Sequence, residues 1–145
     1  MKRILKLRPG LFYLLSLTWG LPLTLCGALA ALVMLLTGHR PKRWGPCVYF
    51  ELGESWGGCE WGLFFLKCRR ADLRLGNHEL GHGLQNCLLG PLMPFVVSIP
   101  SALRYWTRRL RKTPPKTGYD DIWFEGQATR WGTAYMETYY PNKNC

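Results

Sequence analysis

Residues 11–37 run for 27 positions without a charged side chain, and no other feature limits the possible folds as strongly. Such a run must be buried in protein or in lipid. Its length suffices for a tilted or kinked membrane helix, which needs about 20 apolar residues. Lys2, Arg3, Lys6 and Arg8 precede it, as they would in a secretory signal. The run is too long for a signal peptide, however, and it continues through 28–36 past any small-residue cleavage site. Leu23-Thr24-Leu25 ahead of Cys26 also lacks the small residue that a lipoprotein cysteine needs. The pattern predicts an uncleaved transmembrane helix over 1–38, with any kink at 20–22, and one further domain over 39–145.

A net charge of +10 favours an anionic partner, either an acidic lipid surface or a nucleic acid. The apolar first third favours membrane lipid and argues against nucleic acid. Seven tryptophans suit a membrane interface as well as a core. The six cysteines show no CxxC pair, so a secreted disulfide framework is not indicated, although Cys47, Cys59 and Cys68 are close enough in sequence for one bridge.

After the apolar run, 38–46 reads as a basic exit from the membrane, with Arg40, Lys42, Arg43 and Trp44 at headgroup depth. Two aromatic and β-branched runs, 47–52 and 59–67, flank the glycine-rich 53–58 and predict a β-hairpin. Gly76 and Asn77 are expected to start a helix that Gly90-Pro91 stops after Leu89. The apolar stretch 88–103 contains Pro91, Pro94 and Pro100, which break a continuous span. It is expected to be re-entrant or interfacial, returning to the side it left. A helix restarting at Pro100-Ser101 would carry Arg104, Arg108, Arg109, Arg111 and Lys112 on a headgroup-contacting face. Residues 113–118 are expected to be a linker or turn, and Asp120 or Asp121 can cap a last helix over 122–139. The fold class expected is α+β: the transmembrane helix, then a β-hairpin, two core helices and the apolar segment between them.

The chemistry concentrates at Asn77-His78-Glu79-Leu80-Gly81-His82-Gly83-Leu84-Gln85. Histidines at i and i+4 stack on one helix face, so His78 and His82 can share an ion while Glu79 stands beside them. These are two of the chain's three histidines. A catalytic zinc takes three protein ligands and keeps its fourth position for water, whose pKa it lowers; a neighbouring carboxylate then accepts the proton. Glu79 is that general base. Gln85 falls on the same face and can orient a histidine. For the third ligand, Glu125 shares a helix face with Ala128 and Gly132, small residues that permit close approach of the two helices. Asp121 and Glu137 are its rivals.

With His78, His82 and Glu125 as metal ligands, the sequence resembles the gluzincin branch of HExxH zinc metallopeptidases. The combination of HE-x-GH-x-x-Q, G-P-L, P-S and E-x-x-A over 57–132 is similar to small uncharacterised bacterial membrane proteins that carry a metallopeptidase core. The resemblance implies a zincin-like domain, a zinc cofactor, peptide hydrolysis through a metal-bound water, and substrate backbone pairing along a strand edge within 60–67. Many gluzincins carry an aspartate four residues after the ligand glutamate to orient a metal histidine. That position is Thr129 here, whose hydroxyl is a weaker orienter than a carboxylate, so either Asp120, Asp121 or a carbonyl takes the role, or the site is poor. Tyr105, Tyr119, Tyr139, Tyr140 and Arg130 are equal candidates for oxyanion stabilisation. The expectation is a membrane-anchored zinc peptidase acting on a peptide or protein substrate, its catalytic domain on the cytoplasmic face. The alternatives are an inactive scaffold binding lipid or a partner, and an intramembrane protease of the site-two type, whose later LDG-like aspartate motif is absent.

Overall fold

The apolar run does not form one helix. In the computed structural model, which describes residues 7–111 and 118–143, it divides into α1 (Pro9–Leu17) and α2 (Leu21–Leu36), bent by 90° at the break. Pro22 favours a helix start there, and the Gly20 carbonyl accepts a hydrogen bond from Asn86 Nδ2 at 3.3 Å, 66 residues away. Among the described residues no single helix is long and apolar enough to cross a membrane, which corrects the expectation of a transmembrane helix over this stretch. Lys2, Arg3, Lys6, Lys112, Pro114, Pro115 and Cys145 lie outside the described residues.

What α2 covers is a sheet. Four strands, β1 (Lys42–Trp44), β2 (Cys47–Glu51), β3 (Gly58–Trp61) and β4 (Phe64–Lys67), are ordered β1-β2-β4-β3. Successive side chains on a strand face opposite ways. Val48, Phe50, Phe64 and Leu66 therefore pack towards Ala31 and Met34 of α2. Cys47, Tyr49 and Phe65 point to the other face, where they join Leu80, Leu84 and Tyr135, and Tyr49 stacks on Phe65 at 5.2 Å. Phe12 of α1 is fully buried in that same cluster.

The expected hairpin between 47–52 and 59–67 is not the one that forms. Gly62, at φ +71°, turns the second run on itself, so that β3 pairs antiparallel with β4 and β4 pairs parallel with β2. β3 is consequently an edge strand, as β1 is at the other side, and β4 lies inside the sheet. Trp44, expected at headgroup depth, is buried instead: its indole lies over Gly76 and donates to Asn77 Oδ1 at 3.1 Å.

Helix α3 (Leu73–Leu89) begins earlier than the glycine signal suggests, because Asp72 Oδ1 accepts from Leu75 N at 3.0 Å and caps it. It ends where expected, at Gly90 with φ +53°. The chain then turns back through Gly90–Leu92 and a wide π-helical turn, Pro94–Ser98, into α4 (Ile99–Leu110), which needs no restart at Pro100. The two arms are bent by 116°. Arg104 and Arg108 both donate to the Gly118 carbonyl, at 2.7 and 2.8 Å, and are half-buried rather than standing only on an outward face. The final helix α5 (Trp123–Tyr139) starts at Ile122 without a side-chain cap, and Asp121 accepts from Gly118 N in the turn before it.

Helices α3 and α5 pack tightly because small residues face each other. A Cβ at Gly81 would strike the Ala128 carbonyl, and one at Gly132 would strike the Asn77 carbonyl. This contact brings residue 125 to the histidines.

Candidate metal centre

His78 and His82, one turn apart on α3, direct their Nε2 atoms at each other, 3.1 Å apart. Glu125 Oε2 on α5 lies 3.1 Å from the first and 3.2 Å from the second. Three donor atoms thus form a nearly equilateral triangle. In a tetrahedral zinc site with bonds of about 2.0–2.1 Å, ligand atoms are separated by about 3.3 Å. The triangle fits one face of such a tetrahedron. No other group of three or more His, Cys, Asp or Glu side chains among the described residues has this property.

The outer hydrogen bonds fix which ring atoms face inward. Gln85 Nε2 donates to the Phe124 carbonyl at 2.8 Å, which turns its Oε1 to His82 Nδ1, also at 2.8 Å. An oxygen accepts only, so His82 carries its proton on Nδ1 and offers the Nε2 lone pair to the centre. Thr129 Oγ1 lies 2.9 Å from His78 Nδ1 and donates on towards Asp120 Oδ1 and the Glu125 carbonyl, both at 3.4 Å. The Thr129 hydroxyl therefore accepts from His78, and the aspartate missing at 129 reappears one step removed, as Asp120. That carboxylate is itself held by Arg74.

Two ring lone pairs and a carboxylate oxygen in a buried site repel one another unless a positive charge lies among them. Without a metal the charge is a proton. Burial pulls the His82 pKa down, but the Glu125 hydrogen bond and the Glu79, Glu125 and Glu60 charges outweigh it and raise it to about 9. Burial alone would raise Glu125; the His78 and His82 hydrogen bonds instead hold its carboxyl well below the usual range. His82 stability is therefore fully present below pH 6.5 and lost as pH rises through about 9. Glu60, raised by burial to about 8, adds the same trend from pH 4.5 upward. The Glu125 share is lost only in acid, below pH 4.5. The metal-free chain should thus lose a few kcal/mol between pH 6 and 9, read as a falling midpoint of thermal unfolding. Saturating zinc should flatten that slope, since zinc replaces the proton.

Around the triangle lies a cavity of about 540 Å³, lined by His78, Glu79, His82, the whole of β3 and the apolar side of the α4 arm. Glu79 is 4% exposed, its carboxylate lies against the backbone of Gly58, where a Cβ would collide with it, and burial raises its pKa. Met93, Val97, Ile99 and Trp106 form the facing wall, and Arg109 is at its rim. Of the five candidates for oxyanion stabilisation, Tyr105 lines this cavity, its hydroxyl donating to the Trp56 carbonyl at 2.9 Å. Tyr139, Tyr140 and Arg130 do not line it, and the Tyr119 side chain is outside the described residues. The rival ligands are elsewhere: Glu137 is exposed, and Asp121 holds Gly118.

Glu60 escaped the sequence reading. Its only signal was a lone acid in the aromatic run Cys59-Glu60-Trp61, and it is 6% exposed on β3, accepting from Gly62 N. The five described cysteines are free, so no bridge joins Cys47, Cys59 and Cys68. No protein-family model, curated protein or solved structure matches the chain.

Proposed function

We propose that the chain is a zinc-dependent peptidase, with His78, His82 and Glu125 holding the metal and Glu79 acting as general base. The observation that carries the reading is the triangle of donors at 3.1, 3.1 and 3.2 Å, with both histidines turned inward by Gln85 and Thr129. Bound there, zinc would supply Lewis acidity towards a carbonyl and an acidified water.

The remaining steps belong to this chain's own residues. Glu79 stands one residue after the first histidine, against the backbone of the edge strand β3. A peptide backbone added to that edge makes main-chain hydrogen bonds to β3, while alternate side chains enter the apolar wall of Met93, Val97 and Ile99. Its scissile carbonyl then passes over Glu79, which takes the proton from the attacking water and returns it to the leaving amine. Tyr105, on the facing arm, would serve a developing oxyanion by turning its hydroxyl proton away from the Trp56 carbonyl. The apolar wall favours bulky hydrophobic side chains next to the cleaved bond.

The test is turnover of a mixed peptide pool by the zinc-loaded chain, blocked by a chelator and restored by zinc, compared with the chain carrying Glu79→Gln. Stoichiometric zinc without turnover would favour the scaffold reading instead. One observation speaks for that rival: the resemblance's aspartate is replaced by the relay from Thr129 to Asp120, a weaker orienter.

A further inference from the structure

The metal site does not account for the outer surface of the helices. α2 is apolar on every side and only half covered: Ala31 and Met34 meet the sheet, whereas Leu29 and Leu36 point outward, 66% and 79% exposed. The α4 arm repeats the pattern, with Phe95 at 70% and Leu103 at 61%. Soluble proteins rarely expose so much contiguous apolar surface.

The two surfaces are one. At their bends the helix pairs touch: Trp19 Nε1 donates to the Leu88 carbonyl at 3.2 Å, and the Trp19 ring covers Gly90. Leu23 of α2 packs with Met93 and Val97 beneath the seam. Both bends fall in stretches free of Asp, Glu, Lys and Arg, 11–37 and 80–103, and the basic residues gather at the far ends, Arg8, Arg40 and Arg43 for one pair, Arg109 and Arg111 for the other.

We infer that this joined apolar face enters one leaflet of an anionic bilayer and leaves on the same side, so that the protein is held monotopically. No single helix is long enough to cross: α2, at 16 residues, spans about 24 Å, short of the roughly 30 Å core, and α1 leaves it at 90°. Charge selects the occupant. At +10 two copies repel, whereas an acidic lipid surface attracts the basic arm ends. Ile99 and Trp106 belong both to the cavity wall and to the exposed arm, so the cleft opens at the lipid–water boundary. On the peptidase reading, its substrate is then a membrane-borne chain.

Flotation of the purified full chain with phosphatidylcholine vesicles, with and without a third of phosphatidylglycerol, tests the lipid face without recourse to activity. Both vesicles should bind, the anionic ones more tightly, with high salt removing only the difference. Brominated acyl chains should quench tryptophan fluorescence, and Trp19→Phe should reduce that quenching. Leu29→Glu with Phe95→Glu, both at exposed positions, should weaken binding to either vesicle about tenfold or more while the zinc content and thermal unfolding stay as in the unaltered chain. Unchanged flotation in that variant would overturn the inference. So would complete release by salt, or a lipid-free dimer that the same substitutions dissociate and that binds no vesicles.

Discussion

Replacing Glu79 by glutamine should leave about one zinc per chain and lower peptide hydrolysis by roughly 10²–10⁴-fold. The substitution is nearly isosteric, so the contact with Gly58 that only a glycine allows is preserved. Glu79 is not a corner of the donor triangle, and metal retention follows from that. Removing a buried carboxylate whose pKa burial raises also relieves an unfavourable charge, so thermal stability should equal or exceed that of the parent. A fall in activity with unchanged zinc and undiminished stability separates a proton-transferring role from a structural one. Full activity in this variant would remove Glu79, and the peptidase mechanism with it.

The second large effect is expected from a single methyl group at the contact between α3 and α5. Gly132→Ala places a Cβ on the Asn77 carbonyl, and Gly81→Ala places one on the Ala128 carbonyl. In each case the obstacle is backbone within a helix, which no rotamer change relieves. Overpacking of this kind costs about 1–3 kcal/mol. It also forces α5 away from α3, and since the donor triangle is shared between those helices, a shift of about 1 Å takes Glu125 out of bonding range of the ion. Zinc content and the midpoint of thermal unfolding should fall together. Gly10→Ala, where a Cβ meets only open space, should change neither.

These two predictions rest on parts of the molecule that differ in how far the sequence exposes them. The face shared by His78, His82 and Gln85 was legible because helical spacing alone decides it. The approach of Glu125 was legible for a related reason, since Ala128 and Gly132 leave a flat stripe that only a neighbouring helix uses. The break at 18–20 was not legible as a right angle. It depends on Asn86 holding Gly20 and on the sheet that α2 covers, contacts that span dozens of residues. Hydropathy over 11–37 averages across both helices and reports one span.

The sheet was misread for a similar reason. Adjacency in sequence favoured a hairpin between 47–52 and 59–67, whereas the turn at Gly62 and the stacking of Tyr49 on Phe65 select a parallel pairing of β2 with β4. The correction matters for function, because it makes β3, rather than a strand running to Lys67, the edge that faces the cavity. Thr129 shows the opposite case: the departure from the resemblance was visible and Asp120 was among the groups that could make it good, but the choice was not legible, because Asp120 meets Thr129 only after the turn ahead of α5 folds back.

The measurement that bears most directly on the whole account is the zinc content, by elemental analysis, of the purified chain beside its His82→Ala and Glu125→Ala variants. The account predicts about one zinc per chain in the parent and loss of most of it in both variants, since each removes one corner of the triangle. A parent without zinc, or a Glu125→Ala variant that holds as much as the parent, would contradict it.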